Sequence, residues 1–289
     1  MTIRQVNAEL RSQLSTLYPE AEVESFSRMI FRHFLGMTPA QTHLSLEREP
    51  PVEIVKQIRN VIGELKKYRP IQYLLGETEF YGLTFDLTSD VLIPRPETEE
   101  LVDWVLSECD ANETRQNMLD VGTGSGCIAV ALAANLPGAS VWATDISEAA
   151  LAVAKRNALK NNANVNFLLH DVLKDGLTGL EPASLDAIAS NPPYVAPSEK
   201  NRMLPNVLDY EPHLALFAPE SDPLIFYERI AAFGAKCLKN KGKIYFEINE
   251  AHSEQVRALL LKYHYANVVV RKDLCGKWRM AGGEKGGDI

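Results

Sequence analysis

The sequence predicts an α/β protein in which a small N-terminal helical bundle precedes a mostly parallel sheet with helices on both faces. Three observations carry this prediction. Apolar residues recur at helical spacing through residues 1–75, apolar strands alternate with amphipathic helices after Pro96, and the connection between the last two strands is too short for a helix. With 289 residues, the chain is long enough for one large domain and a smaller one.

Residues 1–75 are predicted to form helices with a common core. Apolar side chains recur at steps of three and four in three segments, which is the spacing of one buried helix face. These segments are 3–17, 23–34 and 52–65. Thr38-Pro39 and Pro50-Pro51 have the composition of helix starts, because proline is tolerated in the first turn.

A change to a period of two between Gln72 and Ile93 predicts a short β-hairpin, 76–95, that links the two domains. The sheet is assigned to a domain at 96–282, and 283–289 to a mobile tail. The predicted strands are 117–120, 141–145, 165–169, 185–189, 243–248, 268–271 and 277–281. Because only five residues, 272–276, separate the last two strands, we expect an antiparallel pair at the sheet edge.

Composition and charge exclude several classes of function. The net charge of −8 disfavours tight nucleic-acid binding, since phosphate contacts need a basic surface. The longest apolar stretch, 127–134, is far shorter than the roughly 20 residues of a membrane span. No apolar signal segment lies before Glu9, so we expect a cytoplasmic protein without a membrane partner. We also expect a monomer. The four cysteines are far apart, which predicts free thiols and no metal site.

A glycine-rich turn follows the first predicted strand of the sheet and opens a helix. Its residues are Gly122, Thr123, Gly124, Ser125 and Gly126. Glycine lets the backbone turn sharply and approach a ligand, while the helix start supplies free N–H groups. The third-glycine position of a dinucleotide fingerprint holds Cys127, so an NAD site fits imperfectly.

Acidic residues end the next two strands. Asp145 can accept hydrogen bonds from ribose hydroxyls, although it could also simply cap the helix that begins near Ser147. Asp171 can accept from an adenine amino group while Val172 packs on the ring. We assign His170 no role, because a lone histidine at a strand end is usually satisfied locally.

The tetrapeptide Asn191-Pro192-Pro193-Tyr194 follows the fourth strand, at the edge of the sheet where the glycine turn lies. The two prolines lack N–H donors and leave their carbonyls as acceptors. The side-chain oxygen of Asn191 and the carbonyl of Pro192 can each accept one N–H of a substrate –NH₂, and the Tyr194 ring can stack on the flat group. Such acceptors stabilise the localised lone pair that nitrogen needs as a nucleophile. Asn-Pro-Pro can also be a simple turn.

These motifs together resemble class I S-adenosylmethionine-dependent methyltransferases that act on planar –NH₂ groups. The chain resembles more closely the release-factor glutamine N5-methyltransferases, the HemK/PrmC family, over nearly its whole length. The motifs that carry this resemblance are, in order, 70–76, 79–82, 92–99, 120–126, 191–194 and 210–212.

The resemblance implies a Rossmann-like domain with a seven-stranded sheet and S-adenosylmethionine as cofactor, converted to S-adenosylhomocysteine. It implies that the cofactor site is lined by 122–126, Asp145, Val172 and Asn191, and that 191–194 hold the substrate glutamine. Asn191, Pro192 and Tyr194 are then the catalytic residues. It also implies that the N-terminal domain grips a class I peptide chain release factor. Val172 stands where some members carry a larger aromatic residue.

Segment 92–99 lies where this family joins its hairpin to the catalytic domain and borders the site. The roles of Arg95, Glu97 and Thr98 within it stay unassigned from the sequence.

Other functions fit parts of the sequence. The same tetrapeptide serves on adenine or guanine amino groups in nucleic-acid methyltransferases, but the acidic catalytic portion disfavours this. A related group methylates a ribosomal-protein glutamine, although 93–99 fits the release-factor group better. A Rossmann-type oxidoreductase or an inactive nucleotide-binding module is a third hypothesis, and Cys127 and the Asn-Pro-Pro-Tyr segment count against it.

Overall fold

Two compact units make up the chain in the computed structural model, which describes residues 1–109, 115–174 and 180–286. The first unit comprises Met1–Gly76 together with Leu204–Tyr210, and the second comprises Glu77–Met203 and the chain from Glu211 onward. The hairpin predicted as a linker therefore belongs to the second unit. Conversely, 204–210 lies in the first unit, although the sequence places it within the catalytic domain.

The first unit is a helical bundle, and its helices begin and end at the residues that chain chemistry favours. Thr2 and Thr38 each cap a helix through a reciprocal pair of hydrogen bonds with the glutamine three residues later. Gly36 and Gly76 end helices in the left-handed conformation. All three predicted apolar stripes contribute to one buried core. The helices are α1 (Ile3–Leu14), α2 (Glu20–Leu35), α3 (Pro39–Leu44), α4 (Val52–Leu65) and α5 (Ile71–Leu75).

The predicted hairpin opens the second unit as β1 (Glu77–Phe80) and β2 (Leu83–Asp86), paired antiparallel. Tyr81 and Gly82 form its turn with φ of 50° and 72°. Two successive positive φ angles are those of a type I′ turn, whose twist matches that of the flanking strands. The Tyr81 N–H donates to the Glu99 carboxylate at 2.7 Å, which fixes this turn to the helix that follows.

A seven-stranded sheet occupies the second unit within the described residues, in the order β5-β4-β3-β6-β7-β9-β8. All neighbouring strands from β5 to β7 are parallel, and β9 runs antiparallel to both β7 and β8, which confirms the predicted mixed sheet with an antiparallel pair at one edge. The strands are β3 (Asn117–Val121), β4 (Ser140–Asp145), β5 (Val165–Leu169), β6 (Leu185–Ser190), β7 (Leu238–Glu247), β8 (Tyr265–Lys272) and β9 (Trp278–Lys285).

β7 and β9 differ most from their predicted bounds, and β8 also begins three residues earlier than predicted. β7 starts earlier than expected, because Leu238 already pairs with Leu185 across an irregularity in the register. β9 continues to Lys285, since Glu284 pairs with Lys243 and Lys285 pairs with Tyr265. The strand therefore takes in three residues of the segment predicted as a mobile tail, while 287–289 lie outside the described residues.

Helices cover both faces of the sheet. Alternate residues of each strand face opposite sides, so Met118 packs in a core with α6 and α7, while Leu119 packs in a second core with α11 and α12. In the described parts of the chain, no helix combines the length and apolar character that crossing a membrane requires. The remaining helices are α6 (Pro96–Ser107), α7 (Cys127–Asn135), α8 (Glu148–Lys160), α9 (Pro205–Leu208), α10 (His213–Leu216), α11 (Ile225–Cys237) and α12 (Ser253–Lys262).

Asn157, on α8, connects the hairpin to the glycine turn. Its amide accepts from the Asp86 N–H at 2.7 Å and donates to the carbonyls of Asp86 and Ser125 at 3.0 and 2.8 Å. The side chain is fully buried. All three bonds therefore form where water cannot replace them.

We predict that Asn157→Ala lowers the free energy of unfolding by roughly 2–4 kcal/mol, because it leaves buried backbone groups without partners. Urea denaturation measures this change. Asn164→Ala, at an exposed position, is the control and should change stability by less than about 0.5 kcal/mol. Equal stability of the two variants would contradict the structural role of Asn157.

Candidate active site

The carboxyl ends of β3, β4, β5 and β6 meet at one edge of the sheet, and the loops that follow them enclose a cavity of about 370 Å³. Ligands of open α/β sheets bind at this edge. Most of the residues predicted to bind a ligand line the cavity, namely Gly122, Gly124, Asp145, Asp171, Val172, Asn191, Pro192 and Pro193. The structure thus brings together residues from four separate loops.

The glycine turn lines the cavity with backbone atoms that no side chain covers. Gly122 and Gly124 have φ of 75° and 55°, and no heavy atom lies within 4 Å of the position where a Cβ would stand on either residue. Gly126 begins α7 with φ of 84°, and a Cβ there would lie 3.0 Å from the Ala154 side chain. The first two glycines therefore leave space on the cavity side, whereas the third allows α7 and α8 to pack closely.

Thr123 and Ser125, also predicted to bind the cofactor, are buried in the turn and do not line the cavity. The Thr123 hydroxyl donates to Asp120 Oδ2 at 2.6 Å, and the Ala129 N–H donates to the same oxygen at 3.2 Å. These bonds fix the shape of the turn. The other Asp120 oxygen, Oδ1, has no partner among the described residues, and burial raises the pKa of this carboxyl to about 7.

Asp145 joins the turn to the end of β4. Its Oδ2 accepts the Gly124 N–H at 2.8 Å and its Oδ1 accepts the Ser147 N–H at 2.9 Å. Side-chain capping of α8 is performed by Ser147, whose hydroxyl accepts the Ala150 N–H. Asp145 therefore does more than cap that helix, because it fixes the glycine turn at the cavity wall.

After β5, the chain contributes His170, Asp171 and Val172 to the cavity wall. Asp171 accepts the Leu173 N–H at 3.0 Å and forms a salt bridge with Lys174. His170 received no role from the sequence, yet it lines the cavity, and partial burial lowers its pKa.

The Asn191 amide is held from outside the cavity. Its Nδ2 donates to Thr98 Oγ1 at 3.2 Å, and Thr98 in turn donates to Glu247 Oε2 at 2.6 Å. Tyr194 lies behind the cavity wall rather than on it, and its hydroxyl donates to Glu247 Oε1 at 3.4 Å. The stacking role predicted for the Tyr194 ring stays a prediction.

Sequence reasoning missed several wall residues, which come from segments 89–92 and 212–215 and from α11. Arg95 and Glu211 join the first two of these segments, with Arg95 Nη2 donating to Glu211 Oε1 at 2.6 Å. The Glu211 side chain is only 1% exposed. Arg95 and Glu211 belong to the family motifs 92–99 and 210–212, and these motifs are the signal that could have identified the two wall segments. The salt bridge itself joins residues more than a hundred positions apart in the sequence.

The arrangement suits recognition of a flat –NH₂ group. Asn191 and Pro192 both line the cavity, and each has an oxygen that can accept a hydrogen bond, while the amide nitrogen of Asn191 is already engaged by Thr98. Two acceptors can each take one hydrogen of the same –NH₂. Such a group becomes nucleophilic when its lone pair is localised, which these acceptors favour.

Comparison with known proteins first identifies the general class of protein. A family model described as methyltransferase small domain matches residues 101–208. The solved structure of human methyltransferase 10 domain containing protein has a TM-score of 0.51 at 21% identity, covering 71% of this chain and 90% of that chain, and this likeness shows the fold. The fold and the matching family model are those of a methyltransferase.

The particular family follows from closer relatives. The PrmC N-terminal domain model matches residues 5–76. The release factor glutamine methyltransferase of Flavobacterium psychrophilum is 42% identical over 97% of this chain and 98% of its own length. The release factor glutamine methyltransferase of Bacteroides thetaiotaomicron is 43% identical over 96% of this chain and 98% of its own length. The chain belongs to the release factor glutamine methyltransferase family, as its sequence motifs predict.

The raised pKa of Asp120 predicts a pH dependence of stability. Between about pH 4 and pH 7 the folded protein keeps a proton on Asp120 that the unfolded chain releases, so stability falls as the pH rises through this range. A rise of the pKa from 3.8 to about 7 corresponds to roughly 4 kcal/mol.

The asparagine side chain of the Asp120→Asn variant does not ionise. The free energy of unfolding of this variant should therefore decline less than that of the wild type between pH 4 and pH 7. Urea denaturation at a series of pH values measures the difference. Parallel pH profiles for the two proteins would contradict a protonated Asp120 in the folded state.

Proposed function

We propose that this chain methylates the side-chain amide nitrogen of the glutamine in the Gly-Gly-Gln motif of class I peptide chain release factors, with S-adenosylmethionine as methyl donor. The hydrogen bonding of Asn191 carries the proposal. Its amide nitrogen is engaged by Thr98, which leaves Oδ1 as an acceptor at the cavity. A glutamine amide is a flat group with two hydrogens to donate. The names of the curated relatives support this acceptor.

The cavity fits S-adenosylmethionine. Its volume falls within the roughly 300–1,000 Å³ of small-ligand sites. The space beside Gly122 and Gly124 admits a ligand against the backbone, and Asp145 has lone pairs left for ribose hydroxyls. Asp171 and Val172 would hold the adenine. When bound, S-adenosylmethionine supplies a methyl group on a positively charged sulfur.

The residues of the loop after β6 would act by orientation and electrostatics. Asn191 Oδ1 and the Pro192 carbonyl accept the two amide hydrogens and localise the nitrogen lone pair. The glutamine nitrogen would take the methyl group that S-adenosylmethionine supplies, with S-adenosylhomocysteine as the leaving group, and would release one proton to solvent. Burial raises the pKa of Tyr194 far above neutral, so its hydroxyl stays protonated and serves as a hydrogen-bond donor.

The helical N-terminal unit would provide the grip on the release factor. It matches a domain model of its own, separate from the methyltransferase model, which suits a dedicated recognition function. Because its acceptor is a translation factor, we place the protein in the cytoplasm, where it would act as a monomer.

A ribosomal-protein glutamine or a nucleic-acid amino group would satisfy the same two acceptors. The curated relatives favour release factors over both. The net charge of −8 further disfavours nucleic acid, because phosphate contacts need a basic surface.

The test is label transfer from methyl-labelled S-adenosylmethionine to a purified, unmethylated class I release factor. We expect label on the wild-type factor and none on a matched variant whose Gly-Gly-Gln motif is changed to Gly-Gly-Asn. Peptide mass spectrometry then locates the methyl group on the glutamine. Asn191→Ala should lower turnover by roughly 10²-fold, since it removes an acceptor used in the transition state.

Label on a ribosomal protein or RNA, with none on the release factor, would replace the proposed acceptor by one of the alternatives. Absence of transfer to any of these acceptors would contradict the proposed function.

A further inference from the structure

A chain of hydrogen bonds runs from the cavity into the core of the second unit. It starts at Asn191 Nδ2, passes through Thr98 Oγ1 at 3.2 Å and ends at Glu247 Oε2 at 2.6 Å. Thr98 and Glu247 are each only 2% exposed. Neither lines the cavity, so neither can touch a ligand directly.

The direction of this chain is fixed at its buried end. The Thr98 hydroxyl donates to Glu247 Oε2, and because a hydroxyl has a single hydrogen, none is left to donate toward Asn191. The Thr98 oxygen is then an acceptor toward Asn191 and holds the amide nitrogen. Because the two ends of an amide have opposite hydrogen-bonding character, Asn191 Oδ1 becomes the end left for the cavity.

The surroundings of Glu247 support an acceptor at this position. The Tyr194 hydroxyl donates to its second oxygen at 3.4 Å. Arg279, held by Asp273 at 3.3 Å, contributes a positive charge that stabilises the carboxylate. Burial has the larger effect and, together with the negative charge of Glu97, raises the pKa of the Glu247 carboxyl above its ordinary value.

We propose that Thr98 and Glu247 are positioning residues for methyl transfer, which act by fixing the orientation of the Asn191 amide. This inference rests on the proposed function and explains two residues to which that function gives no direct contact. Without the Thr98 hydroxyl, the Asn191 amide can rotate by half a turn. It would then present N–H donors to the donor –NH₂ of the acceptor glutamine, and the two groups would repel.

The matched pair Thr98→Val and Thr98→Ser tests this inference. Valine keeps the shape of threonine and removes the hydroxyl, whereas serine keeps the hydroxyl and removes the methyl group. For Thr98→Val we expect kcat to fall by roughly 10- to 100-fold, as for other losses of orientation. The KM for S-adenosylmethionine should stay within about threefold of the wild-type value, because Thr98 does not line the cavity. Thr98→Ser should recover most of the lost turnover.

A second variant, Glu247→Gln, tests the buried end of the chain without changing its size. The glutamine amide can accept from Thr98 or donate to it, so both directions of the chain become populated. We expect a fall in kcat intermediate between the wild type and Thr98→Val. Wild-type kcat in Glu247→Gln would contradict the role of Glu247.

A readout that needs no turnover is the side-chain amide spectrum of protein labelled with side-chain ¹⁵N-asparagine. The Asn191 signal is assigned by its loss in Asn191→Ala. It should shift in Thr98→Val, in which its hydrogen bond is lost, and stay near its wild-type position in Thr98→Ser.

Failure of the inference and failure of the proposed function are separable. If the wild type does not methylate the release factor, the proposed function fails, while the Asn191 signal still decides whether Thr98 holds the amide. If the wild type is active but Thr98→Val and Thr98→Ser have equal kcat, or if the Asn191 signal does not shift in Thr98→Val, the inference is overturned.

Discussion

Parallel pairing of β3, β4, β5 and β6 determines where most polar groups of the cavity lie. The register of these strands brings their carboxyl ends to one edge, so the glycine turn, Asp145, Asp171 and Asn191 converge although they are far apart in sequence. Apolar side chains on both faces of the sheet hold this register, since a shift of one residue would expose alternate core positions to water. The chemistry of the site is thus a consequence of strand packing.

Buried polar groups hold the loops and side chains around the cavity in place. Asn157 connects the hairpin to the glycine turn, Asp120 fixes the shape of that turn, and Glu247 orients Asn191 through Thr98. Each of these side chains is almost fully buried and acts on the cavity from behind. Groups of this kind cost free energy to bury unless they are hydrogen-bonded. Their bonding here makes the backbone and side chains around the ligand rigid, which favours precise positioning of two reactants.

The sequence predicts the helical stripes, the succession of strands and helices along the second unit and the residues that the loops after β3 to β6 contribute to the cavity, because these features depend on local patterns. Periodicity locates the strands, and a glycine turn or an Asn-Pro-Pro-Tyr segment has its chemistry within a few residues. The partnerships of Thr98 with Glu247 and of Arg95 with Glu211 lie beyond such reasoning, since each joins positions more than a hundred residues apart. Glu247 resembles an ordinary strand end in sequence, and it gains its Thr98 partner through the packing of α6 against β7. The motif that contains Tyr194 predicts stacking of its ring, which stays a prediction. The hydrogen bond from its hydroxyl to Glu247 depends on the fold and could not be predicted from the motif.

In the proposed reaction, Asn191 Oδ1 and the Pro192 carbonyl together hold the –NH₂ group that receives the methyl. A crystal structure of the protein with S-adenosylhomocysteine and a Gly-Gly-Gln peptide tests this claim most directly. We expect the glutamine side-chain nitrogen to lie about 3 Å from both oxygens, with Asn191 Nδ2 still bound to Thr98. A glutamine amide bound away from these two oxygens, or an Asn191 side chain turned with its nitrogen toward the peptide, would contradict it.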